Sequence, residues 1–160
     1  MKKIDFCAGH RLMNHGGKCE NLHGHNYRLE VYVSANELDG LGRVVDFADL
    51  REHFKSWIDE NWDHGFVLAE SDSEAIAAIR SVTPHRLFLL PFNPTAENMA
   101  RYLMDEVAPK LNFTGKRQVQ VTRIVLWETE TSYAEVSRPM GSDNRGSISQ
   151  NAFEGESARG

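Results

Sequence analysis

His23-Gly24-His25-Asn26-Tyr27-Arg28-Leu29-Glu30-Val31-Tyr32-Val33-Ser34-Ala35 alternates in character: the odd positions are His, His, Tyr, Leu, Val and Ala, and the even ones are Gly or mostly polar. Side chains of a strand point to opposite faces in turn, so this stretch predicts one long, half-buried strand. Upstream, Ile4, Phe6, Ala8 and His10 share a parity and predict a strand over 2–10 with that face inward. The Gly-, Asn- and Lys-bearing segment 11–22 between them reads as a loop. Downstream, Asn36-Glu37-Leu38-Asp39-Gly40 turns the chain, and Asp46 is placed to cap a helix over 47–60. Phe47, Leu50, Phe54, Trp57 and Ile58 recur there at helical spacing. A short helix over 73–80 and a short apolar strand over 86–90 follow, and Asn93-Pro94-Thr95 then opens a second main helix over 96–108. Its inner stripe is Met99, Tyr102, Leu103 and Val107. Gln118–Glu128 and Ser132–Ser137 read as an antiparallel pair joined by the turn Thr129-Glu130-Thr131. Apart from the short insert, the order is strand, strand, helix, helix, strand, strand. This predicts an α+β fold: a four-stranded antiparallel sheet with two main helices on one face.

Length and charge narrow the classes. The 160 residues, 41% of them hydrophobic, suit one domain with a real core. Beyond Arg138 the composition turns to Gly, Ser, Asn and charge, too little apolar surface to offset ordering entropy. The reading is therefore a folded domain over 1–137 and a disordered tail over 138–160. Against 23 acidic residues stand 18 basic ones, with no basic run, which argues against nucleic acid as a partner. An anionic substrate stays open, because the local field of a cleft governs its binding. Met1-Lys2-Lys3-Ile4-Asp5 turns polar at once, unlike a signal peptide, and no stretch has membrane-spanning length. With only Cys7 and Cys19 there is no disulfide framework, so a reduced, cytoplasmic protein is expected.

Three histidines carry the first chemical signal. His23 and His25 stand two apart on one strand, so both rings leave the same face, and His10 ends the neighbouring strand on its inward parity. Three neutral imidazoles suit zinc and leave a fourth position open, the mark of a catalytic rather than a closed structural site. A lone His-x-His is more often a hydrogen-bonding pair at a strand end. The third histidine is what favours the metal. Cys7 is close to His10 but has the opposite parity, which makes it a small edge or buried side chain instead of a ligand.

Candidate acid–base groups surround these positions. Cys19 lies in the loop four residues before His23, and a thiol near a cation ionises more readily. Asp63 and His64 follow the first helix, and such a couple can orient and poise a proton shuttle, although a surface loop pair has the same appearance. Glu128 ends the apolar run Ile124-Val125-Leu126-Trp127, as a sheet-edge charge or as an anchor for an N–H-rich ligand.

Together these residues resemble the 6-pyruvoyl-tetrahydropterin synthase and 6-carboxytetrahydropterin synthase family. The likeness spans 4–137 in order: Phe6-Cys7-Ala8-Gly9-His10, Cys19-Glu20-Asn21-Leu22-His23-Gly24-His25, Val45-Asp46-Phe47, Asp63-His64, Asn93-Pro94-Thr95-Ala96-Glu97-Asn98 and Trp127-Glu128-Thr129. The Cys-x-x-x-His-Gly-His run is its most specific part. The resemblance implies a tunnelling fold (T-fold) whose sheets close into a barrel on trimerisation, with two trimers in a homohexamer. It implies Zn2+ on His10, His23 and His25, holding side-chain oxygens of 7,8-dihydroneopterin triphosphate. It implies Cys19 as the proton-transferring group, Asp63 and His64 assisting it, Glu128 anchoring the pterin and sharing the relay, and Thr95 near the pterin. The leading expectation is a lyase of the 6-carboxytetrahydropterin type, serving queuosine and 7-deazaguanine synthesis. The alternatives are a 6-pyruvoyl-tetrahydropterin synthase and a zinc-dependent pterin-binding module without turnover. Some side-chain-cleaving relatives place a glutamate three residues before His-Gly-His, and Glu20 fits that spacing. A thiolate is intrinsically the stronger base, so Cys19 is expected to work and Glu20 to face solvent or accept a loop hydrogen bond. Cys7, where a small apolar residue is common, and the tail after Arg138 depart from the family pattern.

Overall fold

The computed structural model describes residues 1–111, 113, 119–140 and 147–152. Strands β1 (Lys2–His10) and β2 (His23–Ala35) form an antiparallel ladder running from Lys2 opposite Val31 to His10 opposite His23. The predicted alternation holds: Ile4, Phe6 and Ala8 of β1 and Tyr27, Leu29 and Val31 of β2 are buried in the main core. Strand β5 (Val119–Trp127) pairs with the far side of β2, and β6 (Ser132–Ser137) with β5, both antiparallel. A register shift between Tyr32 and Val33 lets Val121 and Ile124, three residues apart, reach the same core.

The sheet is wider than four strands and is mixed, in the order β4-β3-β1-β2-β5-β6-β7. Strand β3 (Gly65–Ala69) lies parallel to β1, and β4 (Leu87–Leu90) parallel to β3. Gly-Phe-Val-Leu-Ala at β3 is covered on both faces, so it shows no alternation, and a run so short gives no periodicity to read. Parallel pairing needs long crossovers, supplied by α1 (Phe47–Asn61) before β3 and α2 (Ser73–Arg80) after it. The seventh strand, β7 (Ser147–Ala152), pairs antiparallel with β6. It falls within the stretch expected to be a disordered tail; an open β6 edge offers backbone partners that composition does not reveal. The remainder of that expectation, at 141–146 and 153–160, lies outside the described residues.

Helix α1 starts where the Asp46 carboxylate accepts the Ala48 N–H at 2.8 Å, and it buries Leu50, Phe54 and Ile58 completely. Phe47 is not part of the packed stripe, being 60% exposed. That stripe begins a turn later, at Leu50. Helix α3 (Ala96–Tyr102) is capped by Thr95 and continues as a π-type turn over Leu103–Val107 and a 3-10 turn over Ala108–Lys110, in place of one regular helix to 108. Met99, Leu103 and Val107 are buried beside the α1 residues in one cluster. The two main helices, α1 and α3, share the main core, and the short helix α2 lies elsewhere. Leu68 packs with Ala75 and Ile76, while its neighbour Val67 belongs to the main core, so α2 covers the opposite face at β3–β4. Among the described residues, no helix is long and apolar enough to cross a membrane.

The packing of α1 predicts a contrast. Phe54→Ala should cost about 3–5 kcal/mol in a denaturant titration, as expected for a fully buried phenylalanine, whereas Phe47→Ala should stay within about 0.5 kcal/mol of wild type.

Candidate metal and acid–base site

The β1–β2 register puts His10 opposite His23 and Ala8 opposite His25. The two β2 histidines and His10 therefore leave the core face at one end of the ladder, where their ring nitrogens lie within 4.8 Å of one another. Close strand approach is enforced at Gly24, where a Cβ would stand 2.9 Å from the Ala8 carbonyl oxygen. His10 is 1% exposed, while His23 and His25 are half-buried.

The tautomers are set by backbone carbonyls. His10 Nδ1–H donates to the Pro94 carbonyl at 2.9 Å, and His23 Nδ1–H donates to the Asn21 carbonyl at 2.7 Å. Each carbonyl can only accept, so the proton of each neutral ring is on Nδ1 and Nε2 keeps its lone pair. Those two Nε2 atoms lie 3.1 Å apart. Two acceptors at that separation repel unless a cation stands between or beside them. Backbone carbonyls behind Nδ1 are also the usual means of fixing a metal-binding imidazole. Burial pushes the His10 pKa down to about 4, with the neighbouring His23 and His25 rings acting in the same direction. His25 is likewise lowered, by burial and then by His23. At neutral pH these are unprotonated nitrogen ligands with no proton to displace. The donor set fits a divalent cation.

Around this centre the chain gathers acid–base groups. The buried Tyr27 hydroxyl lies 3.3 Å from His10 Nδ1, and Glu128 Oε1 lies 3.8 Å from His10 Nε2. Burial raises the Tyr27 hydroxyl well above the phenol range, and the charges of Glu128 and Cys19 raise it further. The charges of Glu128 and half-buried Cys19 thus both act on the same hydroxyl. The Glu128 carboxyl is itself pushed up, by burial first and by Glu97 second. Tyr27 and Pro94 are the contributors that motif reading missed. For Tyr27 the signal was present, since it shares the β2 parity of His23 and His25.

A family model described as 6-pyruvoyl tetrahydropterin synthase matches residues 1–139. The chain belongs to that family. It is 42% identical over 135 residues to a Rickettsia felis protein named 6-carboxy-5,6,7,8-tetrahydropterin synthase, covering 84% of this chain and 96% of the relative. A Haemophilus influenzae protein of the same name is 33% identical, with 84% and 94% covered. The solved structure of an uncharacterised protein from Wolinella succinogenes superposes with a TM-score of 0.69 at 25% identity, covering 86% of this chain and 96% of the other.

Not every residue matched to the family's chemistry meets at the histidines. The Asp63 carboxylate accepts the Cys7 N–H at 2.9 Å and pairs with His64 Nδ1 at 3.0 Å, while the His64 N–H donates to the Cys7 carbonyl at 2.8 Å. Burial raises the Asp63 carboxyl, but the Cys7 N–H and the His64 ring outweigh it and hold it below the usual range. Cys7, of opposite parity to His10, is exposed and donates its thiol to Asn26 Oδ1 at 3.0 Å. His64 and Cys7 line one cleft with Gly9, Gly24 and Phe66, and with His23 and His25 of the histidine cluster; the His64 side chain is 81% exposed. His64 also holds a left-handed backbone, φ 56°, a strain of roughly 1 kcal/mol that a non-glycine residue keeps only where its surroundings impose it. Thr95 accepts the Asn98 N–H at 3.2 Å as the cap of α3. Glu20 is exposed and accepts the Gly16 N–H at 3.1 Å, a loop acceptor as expected.

The depressed His10 pKa makes the metal-free protein pH-sensitive. Folding holds this imidazole at about 4 against 6.5 in the unfolded chain. Between those values the unfolded state binds the extra proton, so stability is full above 6.5 and falls as pH drops to about 4. The loss should approach about 3 kcal/mol, and His10→Gln should flatten this part of the profile in denaturant titrations at pH 4 to 7.

Proposed function

We propose that the chain is a zinc-dependent 6-carboxytetrahydropterin synthase acting on 7,8-dihydroneopterin triphosphate, consuming one water and releasing acetaldehyde and triphosphate. What carries this reading is the convergence of three imidazoles, two of them tautomer-fixed, beside Glu128 and Tyr27, with the Cys19 charge acting on the Tyr27 hydroxyl. Relatives bearing the 6-carboxy name support the product. Acceptance of that product into 7-deazaguanine and queuosine synthesis, in the cytoplasm, belongs to the same proposal.

His10, His23 and His25 would hold Zn2+, which when bound polarises side-chain oxygens and acidifies the adjacent carbon. Cys19, as thiolate, takes the proton from that carbon, and loss of the proton drives expulsion of triphosphate. Glu128 is an anion that burial has stripped of water. A pterin ring offers adjacent N–H donors, and their hydrogen bonds would offset that burial. Thr95, at the start of α3, flanks the ring.

The Asp63–His64 couple bonds to the Cys7 backbone, and the exposed His64 side chain is accessible to a second copy. We therefore assign them to the site of a neighbouring subunit in a homohexamer built from barrel-forming trimers. The family model's own description names the 6-pyruvoyl product, and product analysis separates the two: acetaldehyde release marks side-chain cleavage, and its absence marks triphosphate elimination alone.

His23→Ala should lose bound zinc and turnover together. Cys19→Ala should keep one zinc per chain while turnover falls roughly 10²–10⁴-fold. Neither Cys19→Ala nor His64→Ala should be active alone, but mixed after dissociation and reassembly they should recover activity, because some sites then combine an intact Cys19 with an intact His64. Full activity in metal-free protein would sink the zinc reading, and a mixture that stays dead would sink the shared site.

A further inference from the structure

The loop over 11–22 carries Cys19, yet its middle is solvent-exposed and turns through positive φ at Asn14 (60°) and Gly16 (70°). Its placement must come from its anchors. Arg11 is held by two 2.5 Å bonds to buried Asp72 at the start of α2. Two residues on, the Met13 N–H donates to Asn93 Oδ1 at 2.9 Å, and Asn93 Nδ2 donates to the Met13 carbonyl at 3.0 Å. One side-chain amide thus satisfies both backbone groups of a residue 80 positions away, as a paired strand would. Between these anchors, the Leu12 N–H donates to the Cys19 carbonyl at 2.8 Å. The segment that Asn93 grips is therefore bonded directly to the residue bearing the thiol.

Asn93 is itself fixed. Its carbonyl accepts the Thr95 N–H and the Asn98 side-chain amide, both at 2.9 Å, which locks it to the first turn of α3. The next carbonyl in the chain, that of Pro94, is the one that orients His10. One dipeptide consequently sets both the ligand ring and the loop opposite it.

We propose that Asn93 is a positioning residue: it fixes the Cys19 loop against the histidine centre by pairing with the Met13 backbone. The proposal rests on the reading of Cys19 as the proton-transferring group. Asn93 touches no ring of the centre, and the Pro94 carbonyl that His10 uses is main chain, so removing the amide should spare the metal. Its loss leaves the Met13 N–H and carbonyl without their partner and frees the loop.

The test compares Asn93→Ala and Asn93→Asp with wild type in the metal-loaded protein. In Asn93→Ala, deuterium uptake over peptides within 11–22 should rise, and the rate of Cys19 alkylation by iodoacetamide, read by peptide mass, should change several-fold. The kcat should fall roughly 10- to 100-fold, as for a misplaced reacting group, with KM within about twofold because ring anchoring is intact and zinc content unchanged. Asn93→Asp keeps the acceptor for the Met13 N–H but loses the donor, so it should lie between the two on each readout, and it carries the test if the alanine variant does not fold. Wild-type exchange and alkylation in both variants would overturn the proposal, as would a fall in kcat with no change in the loop. If Cys19→Ala itself turned over at the wild-type rate, the reading of Cys19 would fail, while loop exchange would still decide the role of Asn93.

Discussion

The register of β1 on β2 is the constraint from which the site follows. An antiparallel ladder with a two-residue side-chain period allows only one alignment that buries Ile4, Phe6 and Ala8 together with Tyr27, Leu29 and Val31. That alignment also brings His10 opposite His23 and leaves His25 one step inward on the same face. Slipping by a single residue would turn either set of rings to the far side. The apolar pairs that stabilise the sheet and the polar residues at its end are thus held by one ladder, and core packing specifies the geometry of the three-histidine cluster. Gly24 permits the tight approach at this end, where a side chain would meet the Ala8 carbonyl.

The electrostatics of the centre are those of a place built for ligands the chain does not supply. Three imidazoles converge, two of them with Nε2 lone pairs 3.1 Å apart, a carboxyl is pushed above its usual range by burial, and a phenol is pushed up beside it. Burial costs each of these groups hydration, which their hydrogen bonds offset in part. Functional sites commonly store this kind of local cost, with the core elsewhere offsetting it. Here the large apolar cluster between the sheet and helices α1 and α3 lies directly beneath the rings.

A second acid–base pair lies beside the histidine cluster. His64 is held in a left-handed conformation, exposed and paired with Asp63, and shares a cleft with Cys7, His23 and His25. The sheet's terminal strands, β4 on one side and β7 on the other, are where further backbone pairing is open in a single chain.

Much of this was legible in the chain itself. Alternation over 23–35 and 2–10 fixed both central strands to the residue, because half-buried strands write their period into sequence; Asp46 and Thr95 announced their helices as caps. The His-Gly-His run, His10, Cys19, Asp63-His64 and Glu128 were all recognisable as chemistry-bearing residues. What could not be read were elements and relations that depend on distant partners. Strand β3 is buried on both faces and shows no period; β7 exists by pairing with β6; α2 chooses the second face because Leu68 and Leu87 already point there. The same holds in the site. Sequence singled out the three histidines, but the tautomers of His10 and His23 are set by the Pro94 and Asn21 carbonyls, and the grip of Asn93 on Met13 spans 80 positions. Residue chemistry and local periodicity are properties of neighbours along the chain, so the sequence determined them; which backbone an acid–base couple bonds and which carbonyl meets which ring are properties of neighbours in space, and only the tertiary structure decided those.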